Sequence, residues 1–295
     1  MIDNNKVLVH LTKSLRNTIN SDQFDNIKTV IPPKSVQQQI ANFLDLKTAE
    51  IDGLIDKIND EIDTLQQYQS SVITQAVTKG LDPNVPMKDS GIEWVGEIPK
   101  TWEKVKFNAI YNNRNTKVSD RDYEPLSVTK KGIVPQLDTA AKTNDNDNRK
   151  LVRSGDFVIN SRSDRRGSCG ISSLDGSVSL INTVLEPRNS QIEPLYFDFL
   201  FHTVQFADEF YKWGHGIVDD LWTTNWNDMK NITLILPPKV EQQQIANFLD
   251  QKSTQIKKII EYKKQQINQL TEYKSSLIFE YVTGKKQVPQ MEGRN

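Results

Sequence analysis

Apolar positions along this chain follow two rhythms. Ile51, Ile55, Ile58, Ile62, Leu65, Val72 and Ala76 succeed one another at steps of four, three or seven, with Gln69 in the longest gap. Ile256, Ile260, Ile267, Leu270 and Leu277 keep the same beat, with Lys263 and Lys274 occupying two of its positions. Alternating steps of three and four predict helices that bury a narrow stripe against another helix, as in a coiled coil. Between the two stretches the rhythm changes to short apolar runs separated by turn residues, at 156–161 (DFVINS), 170–174 (GISSL) and 178–186 (VSLINTVLE). These read as strands, with Asp175 and Gly176 as a tight turn between two of them, while 194–213 carries apolar residues at helical spacing. The pattern predicts an α+β fold: one mixed domain flanked by two long helices that pair antiparallel.

The two helical stretches are copies. Residues 32–78 laid over 237–283, an offset of 205, match without a gap at 23 of 47 positions, and PPKSVQQQIANFLDLK falls on PPKVEQQQIANFLDQK. Each copy opens on a proline pair, Pro32 and Pro33 or Pro237 and Pro238, a residue tolerated only before or within a helix's first turn. Each closes near a glycine, Gly80 or Gly284, where a left-handed cap is expected, and Pro83 follows the first. About 44 residues lie between these stops, so each helix is on the order of 65 Å long. Such a helix overhangs a domain of ordinary size, which favours pairing between the helices over packing on the domain alone. Charge points the same way. Residues 35–79 hold three Lys against seven Asp or Glu, whereas 240–284 hold six Lys against five Asp or Glu, so an acidic copy faces a basic one.

Composition narrows the chemistry. The 295 residues carry 37 Lys and Arg against 38 Asp and Glu, a net charge of -1, so any nucleic-acid contact must be local. One cysteine, Cys169, and the scattered His10, His202 and His215 make neither a zinc site nor a disulfide framework and suggest a cytoplasmic protein, and no apolar run is long enough for a membrane span. No GxxxxGK[ST] phosphate loop is present, and both Pro-Pro pairs lack the preceding Asn or Asp of an amino-methyltransferase loop. Nuclease-like spacings at Asp250, Glu261 and Lys263 and at Glu272 and Lys274 fall on the second helix, the wrong scaffold for carboxylates that belong on adjoining strands. The chain reads as non-catalytic, with no metal or cofactor of its own.

Positive charge concentrates at 149–166, where six Arg or Lys meet two Asp. Within it Asn160, Ser161, Arg162, Arg165 and Arg166 lie in a glycine-flanked loop that leaves a strand. A planar guanidinium can bond guanine O6 and N7 together, and an amide can do the same to adenine. Lys130 and Lys131, and Trp222, Thr223 and Asn225 in the segment 215–226, are further DNA-binding candidates, although a solvated loop or core aromatics would explain these compositions too.

With those residues in view, the chain resembles the specificity subunit of type I restriction-modification systems. The resemblance rests on the repeated PPK…QQQIANFLD blocks, on the helix ends YQSSVITQAVTKGL and YKSSLIFEYVTG, and on MKDSGIEWVGEIPKTWEKVKF at 87–107. RSGDFVINSR at 153–162 is a weaker match. It implies a sequence-specific DNA-binding subunit whose target-recognition domain lies between conserved helices that seat methyltransferase subunits and, through them, restriction subunits. S-adenosylmethionine, and ATP with Mg for restriction, would belong to those partners. Domain limits follow: helices at 31–80 and 236–285, a docking linker at 81–102, the recognition domain at 103–235 and a tail at 286–295. Residues 15–34 (LRNTINSDQFDNIKTVIPPK) resemble 220–239 (DLWTTNWNDMKNITLILPPK), so 1–30 reads as the remnant of a first recognition domain. Self-association, or a first domain supplied separately, would complete a two-part reader. The rival reading is a coiled-coil adaptor whose central domain binds protein.

Overall fold

The computed structural model describes residues 25–26, 31–138, 146–162, 167–188, 190–216 and 222–289. The first long helix, α1 (Lys34–Lys79), is followed by β1 (Met87–Asp89), β2 (Glu97–Pro99), β3 (Glu103–Lys106), the single turn α2 (Phe107–Ile110), β4 (Tyr111–Asn113) and β5 (Lys117–Val118). Then come β6 (Leu126–Thr129), β7 (Gly132–Pro135), β8 (Arg149–Val152), β9 (Phe157–Asn160), β10 (Cys169–Ile171), β11 (Gly176–Val178) and β12 (Asn182–Pro187). The chain ends through α3 (Pro194–Phe201), α4 (Val204–Lys212), the short α5 (Trp226–Met229), β13 (Thr233–Leu236) and the second long helix, α6 (Lys239–Val282). This is the α+β fold flanked by long helices that the patterning predicts.

Both long helices start on the residue after a proline pair. The amides of Val36 and Gln37 bond back to the carbonyl of Pro33, and those of Glu241 and Gln242 to Pro238, so the prolines supply first-turn acceptors without wasting an N–H. Gly80 ends α1 at φ +77°, a left-handed conformation that costs other residues a steric penalty. The described residues form two compact units, one from Met1–Leu65 with Lys257–Asn295 and the other from Gln66–Ile256.

In the first unit the helices pair antiparallel. Leu44 and Ile51 of α1 are buried with Leu277 and Tyr281 of α6, and Ile40, Phe43, Ile55, Leu270 and Ile278 pack around them. Phe43 meets Tyr281 at a ring separation of 4.6 Å. Farther along, Asp52 pairs with Lys274 at 2.6 Å, and Glu61 pairs with Lys263. As the α1 number climbs, its α6 partner falls, which fixes the antiparallel sense. The two lysines that interrupt the α6 seam are thus half-buried cations held by acids of the other helix. Lys263 and Lys274, the basic members of the nuclease-like spacings, have this structural use. Ile62 is also buried and Ile58, Leu65, Ile260 and Ile267 are half-buried, so the seam residues lie on the covered side.

The second unit encloses the larger core. Phe107, Tyr111, Phe157, Phe197, Phe201 and Phe206 are fully buried or nearly so, their rings 4.4–6.3 Å apart in tilted, stacked and edge-on contacts. Each such ring buries enough apolar surface to contribute about 1.5–3 kcal/mol, so this cluster dominates the unit's stability. A four-stranded sheet in the order β10-β9-β12-β4 covers it, and a three-stranded sheet, β11-β8-β5, adjoins a second cluster of Leu126, Ile133, Val152, Val158, Val178 and Val184. The β1–β2 hairpin contributes Ile92, Val95, Ile98 and Trp102 to the main core, so the segment 81–102 is packed, not a free tether. Val72 packs against this core and Ala76 and Ile256 are buried within the unit.

One local expectation is refined and one corrected. Residues 194–213 are two helices, broken where Thr203 caps α4 by accepting from the Phe206 amide at 3.2 Å. Gly176 is not in a turn: the bend falls at Ser173 and Leu174, and Gly176 opens β11, where a Cβ would stand 2.6 Å from the Glu124 carbonyl.

Candidate nucleic-acid interface

Strand β9 leads into the arginine loop, and its start is anchored. The Asp156 carboxylate accepts from Arg114 Nε at 2.8 Å, from Arg114 Nη2 at 3.1 Å and from the Arg153 amide at 2.8 Å. Burial pushes this carboxyl up from its ordinary range, and the Arg114 bonds pull it back in part. From that anchor Phe157, Val158 and Ile159 run buried to Asn160, where the chain emerges.

At this exit two segments far apart in sequence come together. The Thr224 amide donates to the Ser161 carbonyl at 3.0 Å, and Arg162 forms an antiparallel bridge with Thr223. On its other side Thr223 exchanges backbone bonds with His215, at 2.9 and 3.0 Å. Residues 161–162, 223–224 and 215 are therefore strands of one short ladder. The sequence offers Asn160, Ser161 and Arg162 as one candidate and Trp222, Thr223 and Asn225 as another; the fold makes them neighbours.

Several of these side chains build the site. Asn160 Oδ1 accepts from the Arg162 amide at 3.1 Å, and the buried Ser161 hydroxyl shares a 2.9 Å bond with Thr183. Trp222 Nε1 donates to the Tyr211 carbonyl at 3.0 Å, and its ring lies so close to Gly214 that a Cβ there would come within 2.2 Å of that nitrogen. The buried Thr224 hydroxyl donates to the Phe210 carbonyl at 2.9 Å. Asn225 caps α5: its Oδ1 accepts from the Asn227 amide at 2.8 Å, while Asp228 reaches back to the Asn225 amide. The cap engages one of the two lone pairs of this amide oxygen. His215, exposed over three-quarters of its side chain, has Nε2 3.1 Å from Asp228 and stands at the ladder's outer edge. Sequence reasoning included it in a segment but did not single it out, because its position depends on the pairing with Thr223.

The local charge divides in the same way. Of the six basic residues at 149–166, the buried Arg149 donates to the Ser177 hydroxyl and carbonyl, Lys150 to the Asn182 carbonyl, and Arg153 to Asp175 and Tyr123. Burial lowers the pKa of both Arg149 and Lys150. These three hold strands together; the other three basic residues of the stretch are Arg162, Arg165 and Arg166. Arg162 is half-buried; Arg165 and Arg166 lie outside the described residues.

Lys130 and Lys131 occupy the exposed turn between β6 and β7. That hairpin crosses β10 at a backbone contact where a Cβ on Gly170 would stand 2.8 Å from Gly132 Cα. The turn thereby meets the strand that returns from the arginine loop. Among the described residues, no group of three His, Cys, Asp or Glu side chains is placed to hold a metal ion, and no helix is long and apolar enough to cross a membrane.

A family model described as the type I restriction modification DNA specificity domain matches residues 99–272. The chain is 35% identical over 94 residues to the type I restriction enzyme MjaVIII specificity subunit of Methanocaldococcus jannaschii, a match covering 32% of this chain and 20% of that protein. It is 28% identical over 246 residues to a protein of the same organism described as the putative type I restriction enzyme MjaX specificity subunit, covering 79% of this chain and 54% of that one. The chain thus spans about half the length of the longer-matching relative. A chain solved in work on complex assembly and conformational transition of the type I R-M system shares the fold at a TM-score of 0.65 and 14% identity, over 93% of this chain and 66% of that one.

Proposed function

Because the chain belongs to the type I restriction-modification DNA specificity family, we propose that its central domain reads a DNA sequence and directs methyltransferase subunits to it. Restriction subunits join through the methyltransferase, and this chain itself carries out no catalysis. The observation that carries this reading is the backbone ladder that joins the arginine loop at 161–162 to residues 223–224 and 215. A base-reading surface needs side chains held on stiff backbone, since a loosely held guanidinium loses rotamer entropy with every bond it makes. Arg162 and the adjoining Arg165 and Arg166 have the chemistry for guanine edges, and Thr223 can serve either a base or a thymine methyl. Lys130 and Lys131 suit phosphates, which set register without carrying sequence. S-adenosylmethionine resides in the methyltransferase, which extrudes the base it modifies, and ATP with Mg serves the restriction subunits.

The test is methylation mapping with the purified chain, its methyltransferase subunits and S-adenosylmethionine on plasmid DNA. The complex is expected to mark defined sites and the chain alone none. Arg162→Ala should relax one position of the site at a cost of about 1–3 kcal/mol, whereas Lys131→Ala should weaken all sequences alike and flatten the salt dependence. A site choice untouched by Arg162, Arg165 and Arg166 alanine variants in combination would remove this surface as the reader.

A further inference from the structure

The two copies of the repeat agree where the seam is apolar and differ where it is charged. Ile51, Ile55, Ile62 and Leu65 recur 205 residues later as the same residue types. Apolar packing therefore cannot tell α1 from α6, and by itself it would let either helix pair with a copy of itself in a second chain. The charged positions are another matter. Lys263 and Lys274, with 20% and 29% of their side chains exposed, reach Glu61 and Asp52 across the pair. In the other copy the two lysines are replaced by Ile58 and Gln69, and the two acids by Gln266 and Lys257. None of the four has a counterpart of the same charge.

The register shows what the alternative pairings would bring together. Shifted back by the repeat offset of 205, Lys274 falls at position 69 and Lys263 at position 58, so Asp52 faces the first and Glu61 the second. These two pairs share a midpoint to within a residue. An antiparallel pair centred on one repeat position has the geometry of a two-fold, and that geometry is open to two α1 helices or to two α6 helices. Two α1 helices in this register bring Asp52 to Gln69 and Glu61 to Ile58, which leaves neither acid a cation. Two α6 helices bring Lys274 to Lys257 of the second chain, twice by symmetry, and Lys263 to Gln266.

We propose that these charged positions select the partner of each helix: α1 accepts α6, and neither accepts its own copy in a second chain. An exposed ion pair adds little to the stability of a pairing. Selection, however, is a difference between pairings, and two opposite-charge contacts in the α1–α6 pair become two like-charge contacts in an α6–α6 pair. Lys274 is largely covered, so such a contact is poorly screened by solvent. Two α1 helices would also unite two segments that each hold seven Asp or Glu against three Lys at 35–79. A chain selected in this way closes on itself and does not recruit a second copy through its long helices. DNA reading by the central domain plays no part in this selection.

Charge variants of the full chain, followed by thermal melting and by light scattering on a sizing column, test the selection. Asp52→Lys with Glu61→Lys sets like charge against Lys274 and Lys263, and this double variant is expected to melt a few degrees below the unchanged chain without gaining mass. Adding Lys263→Glu and Lys274→Glu restores opposite charge with every sign reversed, and most of the lost melting temperature should return. Adding Lys257→Glu to the double variant instead gives α6 an acid where a second copy presents Lys274. That chain is expected to double in mass at concentrations where the double variant does not. Lys258→Glu in place of Lys257→Glu makes the same change in net charge one residue out of register, and should leave the mass of the double variant as it was. The proposal is overturned if the double variant melts like the unchanged chain, if the fourfold reversal melts no higher than the double variant, or if Lys257→Glu leaves the mass unaltered. It is overturned as well if Lys258→Glu doubles the mass equally, since net charge and not register would then govern the pairing.

Discussion

At the scale of single residues, polar side chains near the candidate interface divide into those that make the surface and those that face out from it. Asn160, Trp222, Thr224 and Asn225 spend these hydrogen bonds on backbone, and Ser161 on the Thr183 hydroxyl. Gly214 shows how tight this scaffold is, because the Trp222 indole occupies the space of its missing Cβ. Alanine at Gly214 must displace a ring that is bonded to the Tyr211 carbonyl, and overpacking of this kind costs about 1–3 kcal/mol. Gly214→Ala should therefore lower the melting midpoint and also weaken DNA binding, because Trp222 leads directly into the Thr223 bridge. An equal change at Gly216, beyond the ladder, should affect neither property to the same degree. Melting by circular dichroism together with gel shifts on the methylated site would check both; unchanged melting of the Gly214 variant would show that the ring yields freely and that the ladder is not stiff.

At the scale of elements, the helices were legible in the sequence and the interface was not, for a physical reason. A coiled-coil seam is written in spacings of three and four within one segment, and proline pairs and glycines mark its ends, so Ile51, Ile62, Ile256 and Leu277 declare their burial locally. Lys263 and Lys274 were legible as interruptions, but their acid partners depend on antiparallel register. The ladder of 161–162, 223–224 and 215 has no local signature, since Thr223 and Arg162 are far apart in sequence and meet only in the folded domain. The charge count at 149–166 misled in the same way, because Arg149 and Lys150 look like surface cations until a sheet closes over them. The seam makes a quantitative contrast. Ile62→Asp buries a carboxylate on a covered helix face and should destabilise the pair by about 3 kcal/mol or more. Lys274→Ala removes a half-exposed ion pair and should cost less than about 1 kcal/mol. Chemical denaturation of the two variants would measure this; equal losses would mean that the pairing is electrostatic in origin rather than a packed seam.

At the scale of the whole molecule, the central domain is built as an insert. Strand β13 pairs antiparallel with β3, with Glu103 opposite Leu236, so the chain enters and leaves the domain at one place. Trp102 donates to Glu241 at 2.9 Å just outside that ladder, and Lys239 donates to the Ile192 carbonyl, so the entry and exit are pinned to the start of α6 by the repeated cassette and its flanks. A domain closed by its own terminal strands can be exchanged without rethreading the helices. Replacing 103–236 by the aligned segment of a related specificity protein, and leaving α1 and α6 untouched, should move the methylated sequence wholesale to that of the donor. Binding of the methyltransferase, which the helices are proposed to seat, should stay with the recipient. Genome-wide methylation mapping reads the first property and co-purification the second. A chimera that folds and assembles but keeps the recipient's sequence would place base reading outside 103–236 and leave the ladder of Arg162, Thr223 and His215 as structure alone. If the chimera instead adopts the donor's site and loses the recipient's methyltransferase, the partner is held by the domain and not by the helices, and the long pair serves only to carry it.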